Sequence, residues 1–324
     1  MKLLIAYDGS RCAEAAIDDL NRAGLPESGD GVVVSVAEVW LPPAGEDDNI
    51  DTTDPYIRKM VLRYREKGEQ ALAETRSFAE RAAERVSDVL PGWTIRKIAT
   101  YGSPAWEILT AADEEKPDLI VVGSQGQSAV SRLLLGSISQ KVLTEAHCSV
   151  RVARGRNDVD PSPIRIVVGY DSSRGAAAAV DAVAARNWPA DTEVKLLSVA
   201  DPAKPTAIGR LVPPIAGAVE EVNATEREWL EENAGHAIEK LAAAGVKAEL
   251  EIITGYPKKA IVEHAEEWHA DTIFVGANAF GSRLERFLIG STSSAVAARA
   301  HCTVEVVRFD GAGSLSDAEG GKNS

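Results

Sequence analysis

Cysteine, positive charge and long apolar runs are all scarce in this sequence. Its 324 residues include three cysteines, Cys12, Cys148 and Cys302, which are too few and too widely spaced for a disulfide framework. Lysine and arginine total 35 against 49 acidic residues, giving a net charge of −14 that disfavours nucleic acid and anionic membrane surfaces as partners. No apolar segment approaches the ~20 residues needed to span a bilayer. We therefore expect a cytoplasmic protein.

Familiar catalytic motifs are missing as well. The sequence has no G-x4-G-K-[ST] loop at a strand–helix junction, no G-x-G-x-x-G pattern and no H-E-x-x-H pair. No nucleophile with an adjacent base can be recognised. The first segment, MKLLIAYDGS, is interrupted by Asp8, so we expect no signal peptide there. The sequence does not argue for an efficient enzyme.

The sequence contains an internal repeat. KLLIAYDGSRCAEAAIDDL at residues 2–20 is matched by RIVVGYDSSRGAAAAVDAV at 165–183, and EAHCSVRVAR at 145–154 is matched by ARAHCTVEVVR at 298–308. A unit of about 150 residues has the size of a domain rather than of a solenoid repeat. The chain is therefore predicted to contain two similar domains.

The boundaries follow from the repeat and from composition. We predict a first domain at residues 1–155 and a second at 164–308. Residues 156–163 are polar and end in proline, which is typical of a linker. Residues 309–324 are polar and rich in glycine, which predicts a disordered tail.

Each half alternates apolar strands with helices. In the first half the predicted strands are LLIAY, VVVSVAEV, TIRKIATYG, DLIVVG and SVRVAR, and the longest helical pattern covers residues 56–88. Strands that are apolar on both faces are typical of a parallel sheet covered by helices. The prediction is an α/β fold with two tandem, doubly wound, five-stranded parallel-sheet domains. Ligands of such folds bind at the carboxyl ends of the strands.

The end of the fourth strand is rich in glycine, in the segment VVGSQGQSAVSRLLLGSISQ. Gly123 ends the strand, Gly126 follows, and Gly136-Ser137 begins a helix. Glycine lets a ligand approach the main chain, and backbone N–H groups in such loops and at helix N-termini favour anions. We interpret the pattern as a phosphate cradle made of two separated glycine patches, with the Ser137 hydroxyl as an added donor. The alternative is a tight strand–loop turn in which Gly136 merely opens a helix.

Both halves of the sequence resemble the universal stress protein family. The resemblance rests on the aspartates in IAYDGS and VVGYDSS, the second-strand patterns VSVAEV and LLSVAD, the segments GSP and GYP, and the G-x2-G-x9-G-S pattern. It implies an adenine-nucleotide alpha-hydrolase-like fold, usually dimeric. It also implies ATP binding, in some members with a divalent cation such as Mg or Mn held largely by the phosphates.

The resemblance assigns residues of the first half to a nucleotide site. Asp8 and the backbone of Val36 would line the adenosine pocket. Gly123 and Gly126 would meet ribose and phosphate, and the remaining contacts to phosphate would come from Gly136 and Ser137. An alternative for Asp8, and for its counterpart in the second half, is a carboxylate that caps the following helix.

The second half keeps most of these positions but not the whole pattern. The counterparts that remain are Asp171, Val199, Gly276, Gly290 and Ser291. Ala279 stands where the first half has Gly126, and one extra residue precedes Gly290, although Gly281 lies nearby. We expect these changes to disturb a main-chain cradle more than a pocket wall.

The resemblance also implies how the halves associate and act. They would pack as a pseudo-dimer through their fifth strands, SVRVAR and TVEVVR, because the family dimerises through that edge; a further homodimer and unidentified protein partners stay open. The implied function is an ATP-binding stress-response protein that acts through nucleotide-dependent conformation or partner binding, with at most slow ATP hydrolysis. The alternatives are an interaction module that binds no nucleotide and an enzyme on the same fold.

Two His-Cys pairs resemble metal ligands but are not predicted to bind metal. His147-Cys148 and His301-Cys302 each place adjacent side chains on opposite faces of a strand entrance, so one ion cannot easily be shared. His264 and His269 are five apart, which is not the i, i+4 spacing of a helical metal pair. We expect no metal site and no reactive thiol.

Overall fold

The computed structural model describes residues 1–39, 55–126, 135–154, 163–200, 213–277 and 289–309, with side chains except at 57 and 213–227. Ten strands lie within these ranges: β1 Lys2–Ala6, β2 Gly29–Ala37, β3 Trp93–Tyr101, β4 Leu119–Gly123, β5 Ser149–Ala153, β6 Arg165–Gly169, β7 Glu193–Ala200, β8 Lys247–Thr254, β9 Thr272–Gly276 and β10 Thr303–Val307. The α-helices are α1 Arg11–Asp19, α2 Pro55–Val89, α3 Pro104–Glu115, α4 Ser137–Glu145, α5 Arg174–Ala184, α6 Pro213–Ala243, α7 Pro257–Glu267 and α8 Ser291–Arg299. A short 3₁₀ helix at Leu20–Arg22 extends α1.

The strands form one sheet in the order β3-β2-β1-β4-β5-β10-β9-β6-β7-β8. Within each half all pairs are parallel, and the order is that of a doubly wound fold. The halves join where β5 pairs with β10 in antiparallel orientation. The predicted fold class and the predicted contact between the fifth strands are confirmed.

Helices α1 and α5 begin in the same way. Ser10 precedes α1 and accepts a hydrogen bond from the Ala13 N–H at 3.1 Å, and Ser173 does the same for Ala176 N–H at 3.1 Å. A serine side chain at this position satisfies one of the N–H groups that a helix start leaves without a partner. The repeated D-x-S segment therefore fixes a strand–turn–helix unit in each half.

The hydrophobic core is shared by both halves on one face of the sheet and is divided between them on the other. One face carries a single cluster that runs across both halves and includes Val152 and Val304, both 0% exposed. The other face carries a separate cluster for each half, under α1 and α2 and under α5 and α6. The halves therefore share one core layer and each keeps another of its own.

Several predicted segments lie outside the described residues. Of the predicted linker only Pro163 is described, and of the predicted tail only Phe309. The long helical pattern at 56–88 is confirmed as α2. Among the described residues, no helix combines the length and apolar character that a membrane crossing requires.

Candidate functional site

Asp8 lies at the carboxyl end of β1 and stabilises the turn into α1. Its Oδ1 accepts a hydrogen bond from the Ser10 N–H at 2.9 Å. Asp171 makes the same bond with the Ser173 N–H at 3.0 Å. The capping side chain is therefore the serine, and the aspartate braces the backbone of the capping residue. The alternative prediction that the aspartate itself caps the helix is wrong, because the serine side chain does so in both halves.

The second oxygen of the Asp8 carboxylate lies next to Gly126. A Cβ atom built on Gly126 would lie 3.0 Å from Asp8 Oδ2, and among the described residues beyond its chain neighbours it would meet nothing else within 4 Å. Any side chain at position 126 would thus enter the space beside this carboxylate. The fold brings together a strand-end aspartate and a loop glycine that are distant in sequence.

The two glycine patches of the first half are adjacent in the structure. The Gly136 N–H donates a hydrogen bond to the Ser124 carbonyl at 2.8 Å. A Cβ on Gly136 would lie 3.4 Å from Gln125 Cα and 3.8 Å from Gly126 N. Residues 124–126 and the start of α4 therefore lie side by side, next to Asp8.

Helix α4 begins at this surface. Gly136 is its N-cap residue and has no side chain with which to occupy the N–H groups of the first turn, which starts at Ser137. The N-terminus of a helix also carries a partial positive charge. This end of α4 is suited to an anion.

A serine that the sequence analysis did not single out holds α4 in place. The Ser139 hydroxyl donates to the Gly123 carbonyl at 2.6 Å, and Ser293 donates to the Gly276 carbonyl at 2.5 Å in the second half. Both hydroxyls are buried. The repeated pattern G-S-x-S, at 136–139 and at 290–293, is the signal that could have identified them.

Gly123 and Gly276 have a packing role. A Cβ on Gly123 would lie 2.8 Å from the carbonyl carbon and oxygen of Cys12 in α1. A Cβ on Gly276 would lie 2.5 Å from the Cα of Gly175 in α5. Glycine at these strand ends therefore allows the first turn of the neighbouring helix to approach closely. A contact of Gly123 with ribose stays a prediction.

Val36 lies in the last part of β2, partly buried and opposite Thr100 of β3. The strand end is closed by the Gly102 N–H, which donates to the Ala37 carbonyl at 3.0 Å. Val199 occupies the equivalent place in β7. The structure thus places Val36 and Asp8 at the ends of neighbouring strands, and their contact with adenosine stays a prediction.

The second half closes its loop in a similar way. The Gly290 N–H donates to the Ala277 carbonyl, and a Cβ on Gly290 would lie 3.0 Å from that carbonyl oxygen. Ser291 begins α8. Ala279 and Gly281, on which the predicted difference between the halves depends, lie outside the described residues.

Burial suppresses the thiolate form of Cys148 and Cys302, and the histidine next to each lies close to a carboxylate. Burial raises the pKa of the Cys148 thiol to about 11 and that of Cys302 to about 12, so both are protonated near neutral pH. His147 faces Asp113 at 3.8 Å and His301 faces Glu266 at 3.3 Å, each in an exposed pair. In the part of the chain that the structure describes, no three ligand-type side chains converge on a point where a metal ion could sit.

Fold and site define a tandem α/β protein whose candidate site lies at the carboxyl edge of each half-sheet. The universal stress protein family model matches residues 1–154 and 164–308. The chain belongs to the universal stress protein family.

Known relatives and solved structures agree with this assignment. The chain is 33% identical to a universal stress protein of Thermus aquaticus over 152 residues, which is 47% of this chain and 97% of the relative. It is 26% identical to one of Mycolicibacterium smegmatis, covering 94% of this chain and 96% of the relative. The structure of a universal stress protein from Archaeoglobus fulgidus superposes with a TM-score of 0.56 at 22% identity, covering 95% and 96% of the two chains, and supports the fold.

Proposed function

We propose that the first half binds an adenine nucleotide, ATP, at the carboxyl end of its half-sheet, and that binding sets the conformation or the partner of the chain. The observation that carries the proposal is the position of Gly126, where, of the described residues beyond its chain neighbours, a Cβ would meet only Asp8 Oδ2, at 3.0 Å. Membership in the universal stress protein family supports the same site.

The chemistry of the surrounding groups suggests how the nucleotide would be oriented. A carboxylate accepts hydrogen bonds and repels phosphate, so Asp8 suits the hydroxyl groups of a ribose. Phosphate would instead lie against the N-terminus of α4, where Ser137 offers a main-chain N–H group and a hydroxyl and Gly136 places no side chain in the way. The adenine would extend toward the end of β2 at Val36. A divalent cation, if bound, would be held largely by the phosphates.

The position of the two patches supports this orientation. Asp8 borders the loop at Gly126, and Gly136 is hydrogen-bonded to the same loop at Ser124. A ligand that carries sugar hydroxyls at one end and an anionic group at the other matches this sequence of acceptor and donor groups. A nucleotide has that arrangement, whereas a simple anion carries no sugar hydroxyl group to donate to a carboxylate.

The proposal is tested by filling the space at position 126. Gly126→Val would place a branched side chain against Asp8, and we expect it to weaken Mg-ATP binding at least about a hundredfold in isothermal titration. Gly235→Val is the matched control, because a Cβ on Gly235 of α6 meets nothing within 4 Å in the described part of the chain, apart from its own helix. This control should bind ATP like the wild type.

Two outcomes would contradict the proposal. If Gly126→Val binds ATP as tightly as the control, the site is elsewhere. If the wild type itself gives neither heat nor a shift in melting temperature with millimolar Mg-ATP, the interaction module without nucleotide replaces this function. Comparison of ATP with adenosine adds a further check, since the phosphate contacts at α4 should make ATP the tighter ligand by tenfold or more on the scale of charge-assisted hydrogen bonds.

A further inference from the structure

The two halves meet at a pseudo-two-fold axis. The antiparallel register of β5 and β10 pairs Val150 with Val306, Arg151 with Glu305 and Val152 with Val304. In the internal repeat, residue 151 corresponds to residue 305. The axis therefore passes between Arg151 and Glu305. In a symmetric pair of two identical halves, the residue at this position would face its own copy.

Some contacts around the axis are made equally by the first half to the second and by the second half to the first. Arg154 donates to the Ala297 carbonyl in the last turn of α8 at 2.6 Å, and its counterpart Arg308 donates to the carbonyls of Leu143 and Thr144 in the last turn of α4 at 2.9 and 3.1 Å. Each arginine satisfies carbonyl groups at the end of a helix in the other half. Identical halves could form these contacts too, so they do not select between like and unlike partners.

The contact on the axis, between Arg151 and Glu305, joins unlike residues and cannot be formed by identical halves. Arg151 and Glu305 are 0% and 1% exposed, and Arg151 Nη1 donates to Glu305 Oε2 across the axis at 3.2 Å. Arg151 Nη2 also crosses to Thr272 Oγ1 at 3.1 Å. Within their own halves, Arg151 Nε binds Asp19 Oδ2 at 2.6 Å and Glu305 is bound by Arg186. Two positive and two negative groups thus form one buried chain.

The contacts next to the axis also differ between the two halves. A Cβ on Gly24 of the first half would lie 2.7 Å from the indole ring of Trp188 in the second half. Arg186 donates to the Ala23 carbonyl at 2.9 Å, and the Asn187 N–H donates to the Gly24 carbonyl at 2.9 Å. The turn after α1 is therefore shaped to receive the turn after α5, and the two turns are not interchangeable.

Pairing of identical halves would break the charged chain. Two first halves would place Arg151 opposite Arg151, and the position of Thr272 would be taken by its counterpart Leu119, which offers no acceptor side chain. Two second halves would place Glu305 opposite Glu305. Like charges directly opposite in a sheet are destabilising, and buried charges that lose a partner are costly.

We propose that the Arg151–Glu305 pair makes the fifth-strand edge of each half specific for the other kind of half. The occupant of the β5 edge is then β10 of a second half, and the same edge is unsuited to a homodimer of first halves. Association of further chains, where it occurs, must use another surface. This inference does not depend on nucleotide binding.

A double-mutant cycle in the full-length chain tests the inference. Glu305→Arg places two arginines at the axis, as in a pair of first halves, and Arg151→Met removes one of them. In the wild-type background Arg151→Met removes the guanidinium from Asp19 and Glu305, which keep only Thr303 and Arg186 respectively, so amide exchange in β5 and β10 should rise. Glu305→Arg should raise this exchange by about a hundredfold. In the Glu305→Arg background, Arg151→Met should lower it at least about tenfold, because the like-charge contact across the axis is removed, while the contact of position 305 with Arg186 is the same in both variants.

The sign of the Arg151→Met effect decides the outcome. Hydrogen exchange followed by mass spectrometry reports on peptides containing β5 and β10. If Arg151→Met raises exchange in the wild-type background and lowers it in the Glu305→Arg background, the inference is supported. If it raises exchange in both backgrounds, the inference is overturned. If Glu305→Arg does not fold, recovery of folded, soluble chain by the added Arg151→Met supports the inference, and failure of the double variant to fold overturns it. Arg308→Met, at a symmetric contact, is the control and should show no such reversal.

Discussion

At the scale of single residues, two glycines of the candidate site are glycine for different physical reasons. Gly123 is needed because the backbone of α1 lies 2.8 Å from where its Cβ would be. For Gly126, in contrast, the carboxylate of Asp8 is what a Cβ would meet among the described residues beyond its chain neighbours. The sequence motif treats the two alike, but the first is a requirement of packing, whereas the second is the position at which we propose that a ligand binds.

The first prediction separates these roles. Gly123→Ala should lower the free energy of unfolding by about 1–3 kcal/mol, since a methyl group must be accommodated against the main chain of Cys12. Gly126→Ala should change it by less than about 0.5 kcal/mol, because the Cβ meets only the end of the Asp8 side chain. Urea unfolding measures both. Equal stability of the two variants would show that the close approach of α1 is not the reason for glycine at 123.

A second prediction concerns Glu115, which ends α3. Hydrogen bonds from Arg96 and Lys2 lower the pKa of this carboxyl to about 2. Because the pKa is lowered in the folded state, the stabilisation is present above the unfolded pKa near 4.5 and is lost as the pH falls toward 2. Glu115→Gln should therefore reduce the free energy of unfolding by about 1 kcal/mol at pH 7.

The pH dependence of this difference is the decisive measurement. Urea midpoints of wild type and Glu115→Gln should converge between pH 4.5 and pH 2 and stay apart at pH 6 to 8. A gap of constant size over that whole range would mean that the charge of Glu115 is not what stabilises the end of α3.

At the scale of secondary-structure elements, the candidate site depends on how α4 is anchored. The Ser139 hydroxyl joins the first turn of α4 to the last residue of β4, and it repeats as Ser293 in α8. Strand and helix alternation could be predicted from the apolar pattern because the central strands of each half are buried on both faces. The serine bond could not, because it joins segments separated by a loop and its hydroxyl resembles any other in a G-S-x-S segment.

The third prediction follows from this anchor. Ser139→Ala removes a buried hydrogen bond and should lower the free energy of unfolding by about 1 kcal/mol. Under the proposed function it should also weaken ATP binding several-fold, since the N-terminus of α4 loses a fixed position. Ser87→Ala is the control, because Ser87 makes an exposed hydrogen bond of 2.9 Å within α2 that does not involve α4. Unchanged ATP affinity in Ser139→Ala would remove α4 from the binding account.

At the scale of the whole molecule, the internal repeat predicted most of the architecture. The two-domain pattern and the five-stranded half-sheets are observed, and they rest on periodicity and on the likeness of the two halves. The contact between the fifth strands is also observed, but it was implied by the family resemblance. The charged chain at the axis was not predicted. The repeat does align Arg151 with Glu305, but only the antiparallel register shows that they face each other.

The asymmetry at the axis also bears on the two candidate sites. Helix α1 runs from the Asp8 turn to Asp19, which binds Arg151, so the first site and the axis are joined by one helix. In the second half the position of Asp19 is taken by Ala182. The two halves therefore differ in how their strand-end turns connect to the interface, although their folds are alike.

The nucleotide content of the purified full-length protein is the most direct test of the central claim that the first half binds ATP. The protein is denatured, and the released nucleotide is quantified by ion-exchange chromatography alongside the Gly126→Val variant. The account predicts roughly one adenine nucleotide per chain in the wild type and a strongly reduced amount in the variant. Absence of nucleotide from the wild type, together with no change in melting temperature on addition of millimolar Mg-ATP, would contradict it.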